Sequence, residues 1–307
     1  MSAILNIQSV SKSYAAHQAL NNVSIDVPTG AVFGLLGPNG AGKTSLIRII
    51  NQITGPDGGS ILFNNEPLNP THTHLIGYLP EERGLYKKME VGEQAVYLAR
   101  LKGLSRPEAI KRLKFWFEKF EIKGWWRKKV DELSKGMQQK VQFIVTIIHE
   151  PPLLILDEPF SGFDPINANL IKDELLKLKD NGTTIILSTH RMESVEELCT
   201  DIALINRSKK IVGGSIADIR KSYRTNSYEI AFSGSGDFLN ERSNVPYSII
   251  NTSNLHGLTT LTVKLEPNST PNDLIKSFIS QVQIERFQEI IPSMNDIFIQ
   301  SVTASQQ

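Results

Sequence analysis

The chain is short of cysteine, of long apolar runs and of net charge. Its 307 residues include one cysteine, Cys199, so no internal disulfide can form and a reducing, cytoplasmic setting is expected. No stretch reaches the eighteen or so consecutive apolar residues of a membrane helix. The densest run, Val141 to Ile148, is interrupted by Gln142 and Thr146. The opening residues, Met1-Ser2-Ala3-Ile4-Leu5-Asn6, do not read as a secretory signal. With 33 Lys+Arg against 32 Asp+Glu, the net charge of +1 gives no global electrostatic case for nucleic acid. Arg127-Lys128-Lys129 reads as a solvated edge.

What is present is a phosphate cradle. The stretch Gly37-Pro38-Asn39-Gly40-Ala41-Gly42-Lys43-Thr44 lies between an apolar run, Ala31 to Leu36, that reads as a buried strand, and Ser45 to Ile50, which reads as a helix. The glycines let the backbone approach an anion closely, and the peptide dipoles of the new helix favour negative charge at its start. Lys43 is expected to reach the β- and γ-phosphates of ATP or GTP, and the Thr44 hydroxyl to ligate Mg²⁺.

Other segments decide between nucleotide chemistries. Leu153 to Asp157 is an apolar strand ending in two carboxylates, with Asp157 on the metal side and Glu158 as the base beside the attacking water. Upstream, Leu133-Ser134-Lys135-Gly136-Met137-Gln138-Gln139 opens a helix, with Ser134 as its N-cap and Gly136 allowing close backbone approach. Ser161-Gly162-Phe163-Asp164 and Ser188-Thr189-His190 supply two further loops, the second ending an apolar strand over Thr183 to Leu187.

In this order the pieces resemble the nucleotide-binding subunit of ATP-binding cassette (ABC) transporters over about the first 215 residues. The resemblance implies an α/β P-loop core with an antiparallel β-subdomain and a helical subdomain, at about residues 82–150. It implies ATP and Mg²⁺ as cofactors and a homodimer in which each ATP lies between one cradle and the partner copy's signature helix. By the family's pattern Tyr14 stacks on adenine, Gly37 through Ser45 hold the phosphates, and Ser134 with Gly136 touch the γ-phosphate across the dimer. Asp164 links the two sites, His190 contacts the γ-phosphate and helps hold the water, and Thr44, Glu81 and Asp157 serve the metal. A separate multi-span permease is implied as partner. The subunit would sit on the inner face of the cell membrane, with export the preferred direction.

The sequence departs from the family's pattern at two places. Glu81 stands where most members have glutamine; a carboxylate still accepts from water and binds metal, but cannot donate a hydrogen bond. Lys135 and Met137 replace commoner residues of the signature, and Lys135 either adds charge near the partner's ATP or is simply solvated. A soluble ABC ATPase acting on nucleic acid or ribosomes is the alternative. Against it stand the lack of a long heptad run between Lys43 and Asp157 and the single cradle. A non-hydrolysing regulatory subunit is opposed by the presence of Asp157, Glu158 and His190.

Along the rest of the chain, Ile4 to Val27 alternates as antiparallel strands do, with a turn expected at Asn21-Asn22. Helical spacing recurs through Ala95, Leu98 and Ala99, and again through Ile110, Leu113 and Phe117. Phe115, Trp116, Phe117, Phe120, Trp125 and Trp126 concentrate here, either as core or as anchors for the permease, with Leu85 and Tyr86 the favoured groove residues. An ATPase domain over residues 1–219 and a C-terminal accessory α+β domain over 220–307 are expected. In the latter, strands read at 227–232, 258–265 and 284–290, helices at 271–281 and 292–302, and a turn at 233–237. The ending Pro292-Ser293-Met294-Asn295-Asp296-Ile297-Phe298 resembles those of the sodium- and drug-export branch.

Overall fold

Alternating apolar and polar residues produce two long opening strands, β1 (Ala3–Tyr14) and β2 (His17–Pro28), paired antiparallel. The computed structural model describes residues 2–15, 17–82, 84–234, 246–255 and 257–305. The chain reverses between Tyr14 and His17, which pair across the hairpin, and not at Asn21-Asn22. Instead Asn22 sits inside β2 with φ 53, where the register slips between the Val10–Val23 and Lys12–Leu20 pairs. Asparagine tolerates the left-handed region as readily in a bulge as in a turn. The displaced amides are satisfied: Asn22 N–H donates to Ser11 Oγ at 2.9 Å and Asn21 N–H to the Ser208 carbonyl at 2.8 Å.

After β3 (Val32–Leu36) and α1 (Lys43–Ile50), strands β4 (Gly58–Phe63) and β5 (Glu66–Pro67) complete this first sheet in the order β2-β1-β4-β5. Its buried face, with Ile7, Val10, Val23 and Phe63, shares one core with Leu46 and Ile47 of α1.

The chain continues through β6 (Ile76–Leu79), α2 (Val91–Leu101), α3 (Arg106–Lys119), α4 (Lys135–Ile147), β7 (Leu153–Asp157), α5 (Pro165–Asp180), β8 (Thr184–Ser188), α6 (Met192–Leu198), β9 (Asp201–Asn206) and β10 (Lys209–Ser215). The second sheet runs β10-β9-β3-β8-β7-β6, parallel except for β10. Residues of β3, β7 and β8 are buried throughout, as expected of strands covered on both faces. Register decides where chemistry collects. Ser188 lies level with both Leu35 and Asp157, and Leu156 with Leu79, so four strands end side by side. Ligands bind beyond the carboxyl ends of such strands where the strand order switches.

Two helices of this region start on serine caps. Ser105 caps α3 by accepting from Glu108 N–H at 3.4 Å, and Ser134 caps α4 by accepting from Met137 N–H at 3.3 Å. Among the aromatics of the helical region, Phe117 and Phe120 are buried, the three tryptophans are half-buried, and Phe115 is 59% exposed. Among the described residues no helix is long and apolar enough to cross a membrane.

Contacts divide the chain into two units, Met1–Ile216 with Phe298–Gln307, and Ala217–Ile297. After α7 (Ile216–Ser222), strands β11 (Ser227–Ser233), β12 (Tyr247–Leu255), β13 (Leu258–Leu265) and β14 (Gln283–Glu289) form an antiparallel sheet in the order β12-β13-β11-β14. α8 (Pro271–Ile279) packs Leu274 and Phe278 onto Ile230, Phe232, Leu261 and Val263. α9 (Met294–Ala304) follows. Strand β12 escapes a reading by apolar pattern because Ser248, Asn251, Thr252, Ser253 and Asn254 interrupt it. The turn read at 233–237 falls, beyond Gly234, outside the described residues.

Candidate functional site

Close backbone approach shapes the loop between β3 and α1. Gly37 has φ 148, and a Cβ there would lie 2.1 Å from the Ile205 carbonyl oxygen; at Gly42, with φ 115, it would lie 2.2 Å from the Ala19 carbonyl oxygen. Neither neighbour can move without breaking backbone, so these two positions admit only glycine. Gly42 caps α1 without any side-chain hydrogen bond, which leaves the first amides of the helix to face outward.

A cavity of about 250 Å³ opens in front of this helix start. It is lined by Asn39, Gly40, Gly42, Lys43, Thr44 and Ser45 of the loop, by Tyr14 from the first sheet, and by Glu81, Asp157, Glu158 and His190 from the neighbouring strand ends. Gly37, Pro38 and Ala41 shape the loop without lining the cavity. The structure thus gathers residues far apart in sequence, as the parallel register requires. His17 and Ala19 also line it and were not singled out from sequence. The hairpin that pairs Tyr14 with His17 brings them there; placing the turn at Asn21-Asn22 concealed that signal.

Lys43 is buried, and its ammonium donates to the carbonyls of Gly37 at 2.7 Å and Pro38 at 3.1 Å. Burial pulls its pKa below the usual lysine value, against the opposing pull of Asp157, Glu158 and Glu81. Asp157, 4% exposed at the end of β7, is pushed above the usual carboxylate range, again chiefly by burial. One cation therefore faces three carboxylates in one cavity, and added positive charge or a bound cation would relieve that imbalance.

Glu158 adopts φ 49, in the left-handed region that non-glycine residues rarely visit. Its amide donates to the Ser188 carbonyl at 2.8 Å, which fixes the sharp turn after β7 and aims the side chain along the strand ends. There the carboxylate is oriented from β8. Oε1 accepts from His190 N–H at 2.9 Å and pairs with His190 Nδ1 at 2.7 Å, while Oε2 accepts from Thr189 Oγ1 at 3.3 Å. That contact occupies Nδ1, so Nε2 is the histidine atom left for other partners. The Glu158 side chain is 12% exposed and the His190 side chain 66%. Strain concentrated on one carboxylate, with three donors holding it, is the arrangement of a positioned base.

Ser134, Gly136 and Asp164 do not line the cavity. Ser134 serves its own chain as the cap of α4, and Asp164 caps α5 by accepting from Asn167 N–H at 2.9 Å. Asp164 is held below the usual carboxylate range by its hydrogen bonds from Asn167. Gly136 lies against the Gly162 carbonyl, to which a Cβ would come within 3.4 Å. The helix start and the 161–164 loop therefore form one exposed surface on the same chain.

Thr44, Glu81 and Asp157 also line an adjoining cleft with Arg48, Tyr78 and Glu82. Tyr78 is pushed up to about 12, mainly by burial. Among the described residues no three His, Cys, Asp or Glu side chains could hold a metal ion by themselves. A hydroxyl and carboxylates are hard oxygen donors and fit Mg²⁺, which dehydrates reluctantly and is normally shared with substrate phosphates.

A second cleft, of about 330 Å³, lies between α2, α4 and the β6 loop, lined in part by Ile53, Leu85, Leu98, Leu101 and Val145. Leu85 is 9% exposed, whereas Ile53 and Leu101 are 62% and 64% exposed at the cleft. Tyr86, 56% exposed, is not among the lining residues.

Comparison with known proteins agrees with this geometry. The family model described as ABC transporter matches residues 20–161, and one described as the C-terminal domain of DrrA1-3-like ATP-binding proteins matches 214–302. An ABC transporter ATP-binding protein of Bacillus subtilis (strain 168), YhaQ, is 41% identical over 98% of this chain and 99% of its own. Nod factor export ATP-binding protein I of Cupriavidus metallidurans is 35% identical over 70% of this chain and 72% of its own. Among solved structures, an ATP-binding subunit of an ABC transporter superposes with TM-score 0.67 at 32% identity, covering 72% of this chain and 93% of that one. A dimeric cassette, MJ0796, in a post-hydrolysis state with ADP and Pi, shares the fold with TM-score 0.64 at 21% identity, over 69% and 98% of the two chains.

Proposed function

Because this chain belongs to the ATP-binding subunits of ABC transporters, we propose that it hydrolyses ATP with Glu158 as the base, and that it does so as a dimer driving a separate membrane permease. The observation that carries the catalytic part is the Glu158 carboxylate, turned by a left-handed backbone into the cavity and held by Thr189 and His190. Tyr14 stacks on adenine. The amides of Asn39 to Ser45 and the Lys43 ammonium bind the triphosphate, and the Gly37 and Pro38 carbonyls that Lys43 now contacts keep it aimed along the loop. Thr44, Glu81 and Asp157 would hold Mg²⁺, which when bound offsets phosphate charge. Glu158 takes a proton from the attacking water, and His190, held against that base through Nδ1, turns Nε2 toward the γ-phosphate.

The dimer reading rests on Ser134, Gly136 and Asp164. They sit on an exposed helix start and loop away from the chain's own cavity, where they complete a site only on a second copy. MJ0796, which shares the fold, is described as a dimer. The permease contact is assigned to the cleft that Ile53, Leu85 and Leu101 line, which shares Tyr78, Pro80 and Gly84 with the cleft beside the metal donors. Export is the preferred direction, by similarity to relatives whose names include Nod factor export.

Substituting Glu158→Gln tests the assignment. Phosphate release should fall by about a thousandfold or more, because a general base supplies about that much. ATP binding should persist and a dimer should accumulate on a sizing column. Full turnover in this variant would move the base elsewhere.

A further inference from the structure

The near-neutral charge of the chain conceals a strong segregation. Residues 100–129 hold eleven Lys+Arg and three Asp+Glu, a net +8 in a chain whose total is +1, so the remainder carries −7. Some of these cations are spoken for. Arg112 pairs with Glu108 and Glu150, Lys119 with Glu174 and Lys123 with Glu118, while Lys102 donates to the Thr73 and Ile76 carbonyls. Arg100, Arg106, Lys111, Lys114, Arg127, Lys128 and Lys129 are exposed and make no ion pair among the described residues.

The fold sets several of them on a rigid support. α3 buries Ala109, Leu113 and Phe117, so Lys111, Lys114, Phe115 and Glu118 form the opposite stripe at spacings of three and four residues. The Glu118 charge is offset by Lys123 at 2.6 Å. Phe115 is left 59% exposed beside Lys114 and one turn from Lys111, with Lys119 Nζ 5.7 Å from its ring centre. Downstream, the carbonyls of Trp126 and Lys128 accept from Gly92 and Val91 N–H at 2.9 Å each, which pins the Arg127-Lys128-Lys129 segment to the start of α2.

We propose that the basic, aromatic-bearing stripe of α3 formed by Lys111, Lys114 and Phe115 contacts an anionic bilayer surface directly. Arg100 and Arg106 line a cleft with Glu90 and Glu93, whereas Lys111 and Lys114 stand on the outward side of α3 around an exposed ring. Spaced cations of this kind suit a diffuse sheet of negative charge, and a phenylalanine among lysines is the pattern of an interfacial anchor. Nucleic acid fits less well: single strands are followed by a groove with successive stacking rings, whereas α3 exposes the one ring of Phe115. The proposal does not depend on ATP hydrolysis or on the permease, since the purified chain alone should show it.

Flotation of the full chain with vesicles tests it. Binding is expected to vesicles of phosphatidylcholine with about 30% phosphatidylglycerol, to fall as salt rises, and to be absent with phosphatidylcholine alone. Each lysine near such a surface contributes about a fivefold gain, so K111Q/K114Q should weaken binding by roughly 25-fold. The same changes at the exposed Lys209 and Lys210 of β10, K209Q/K210Q, should leave it within about twofold. A melting temperature unchanged in K111Q/K114Q confirms that the fold survives. No binding to anionic vesicles overturns the proposal, as does equal binding to neutral ones or equal loss in both double variants. So does an oligonucleotide that outcompetes the vesicles for Lys111 and Lys114.

Discussion

The parallel sheet and the C-terminal sheet of this protein differ in how far they follow local rules. In the C-terminal sheet β13 alternates strictly in burial, and α8 begins with a reciprocal cap in which Asp273 N–H donates to Thr270 Oγ1 and Thr270 N–H to Asp273 Oδ2. Its core cluster is aliphatic and aromatic, with Tyr228 and Tyr247 as its polar-tipped members. At the carboxyl edge of the parallel sheet the rules fail together: a buried lysine, a buried aspartate, a left-handed glutamate and a helix with no side-chain cap lie around one cavity. Proteins accept such costs where binding or chemistry requires them. The difference points to the parallel edge as the working part and leaves the C-terminal sheet as a regularly built scaffold.

The sharpest way to break the contrast is at Gly42. Gly42→Ala would place Cβ 2.2 Å from the Ala19 carbonyl and hold a non-glycine residue at φ 115. The helix start must shift, and nucleotide affinity should fall by about a hundredfold or more, since a displacement of about 1 Å at a positioning group costs that much. A fluorescent ATP analogue titrated onto the variant measures this. Affinity within threefold of the parent would mean that the cradle does not set the phosphate position.

Much of this edge was legible beforehand because each part has a local signature. Glycine spacing marked the cradle, apolar runs marked β3, β7 and β8, and Ser134 marked the start of α4. Order along the chain then supplied the grouping. What stayed hidden depended on tertiary context. His17 enters the cavity only because the hairpin reverses at Tyr14, and Asn22 gave a turn signal that the fold spends on a bulge. Thr189 holds Glu158 across two strands, a contact that no spacing reveals. Strand β12 carries a polar tract that sequence pattern does not separate from a loop.

A second test addresses the scaffold. Phe278 is fully buried and meets the rings of Phe232 at 5.7 Å and Tyr247 at 5.5 Å. Phe278→Ala should destabilise its unit by about 3–5 kcal/mol. Hydrogen exchange at β11 and β13 amides should accelerate by about a hundredfold or more, with β3 and β7 amides unchanged. Acceleration of all four strands alike would show that the two units share one cooperative transition.

His149 offers a test by pH. Burial, with Lys102 nearby, pulls its imidazole from 6.5 down to about 4. In the unfolded chain the ring binds a proton below pH 6.5, and in the folded chain it stays neutral to about pH 4. Protons therefore favour unfolding between these values: the stability contributed by the neutral ring is complete above 6.5 and is lost as pH falls toward 4. The loss should be about 2 kcal/mol after discounting for solvent screening. His149→Leu should flatten the midpoint of urea unfolding across that window. An unchanged pH slope in the variant would assign the dependence to other groups.

The smallest expected stability effect separates the two regions most cleanly. Ser134 and Thr270 do the same structural work, each accepting from the amide three residues on, at 3.3 Å in both cases. Replacing either with alanine should cost about 1 kcal/mol and a few degrees in melting temperature. Their effects on ATP hydrolysis should diverge. Thr270 caps a helix of the C-terminal scaffold, and Thr270→Ala should leave turnover within about twofold, the scale of a change that touches no reacting group. Ser134→Ala should depress turnover by about tenfold or more, the loss expected when a donor to transition-state charge is removed. Mixing Ser134→Ala with Lys43→Ala completes the comparison. If each site draws its cradle from one copy and its signature from the other, the mixed dimers contain one fully competent site, and part of the activity returns. If Ser134 acts only as a cap, Ser134→Ala alone keeps its turnover and mixing adds nothing.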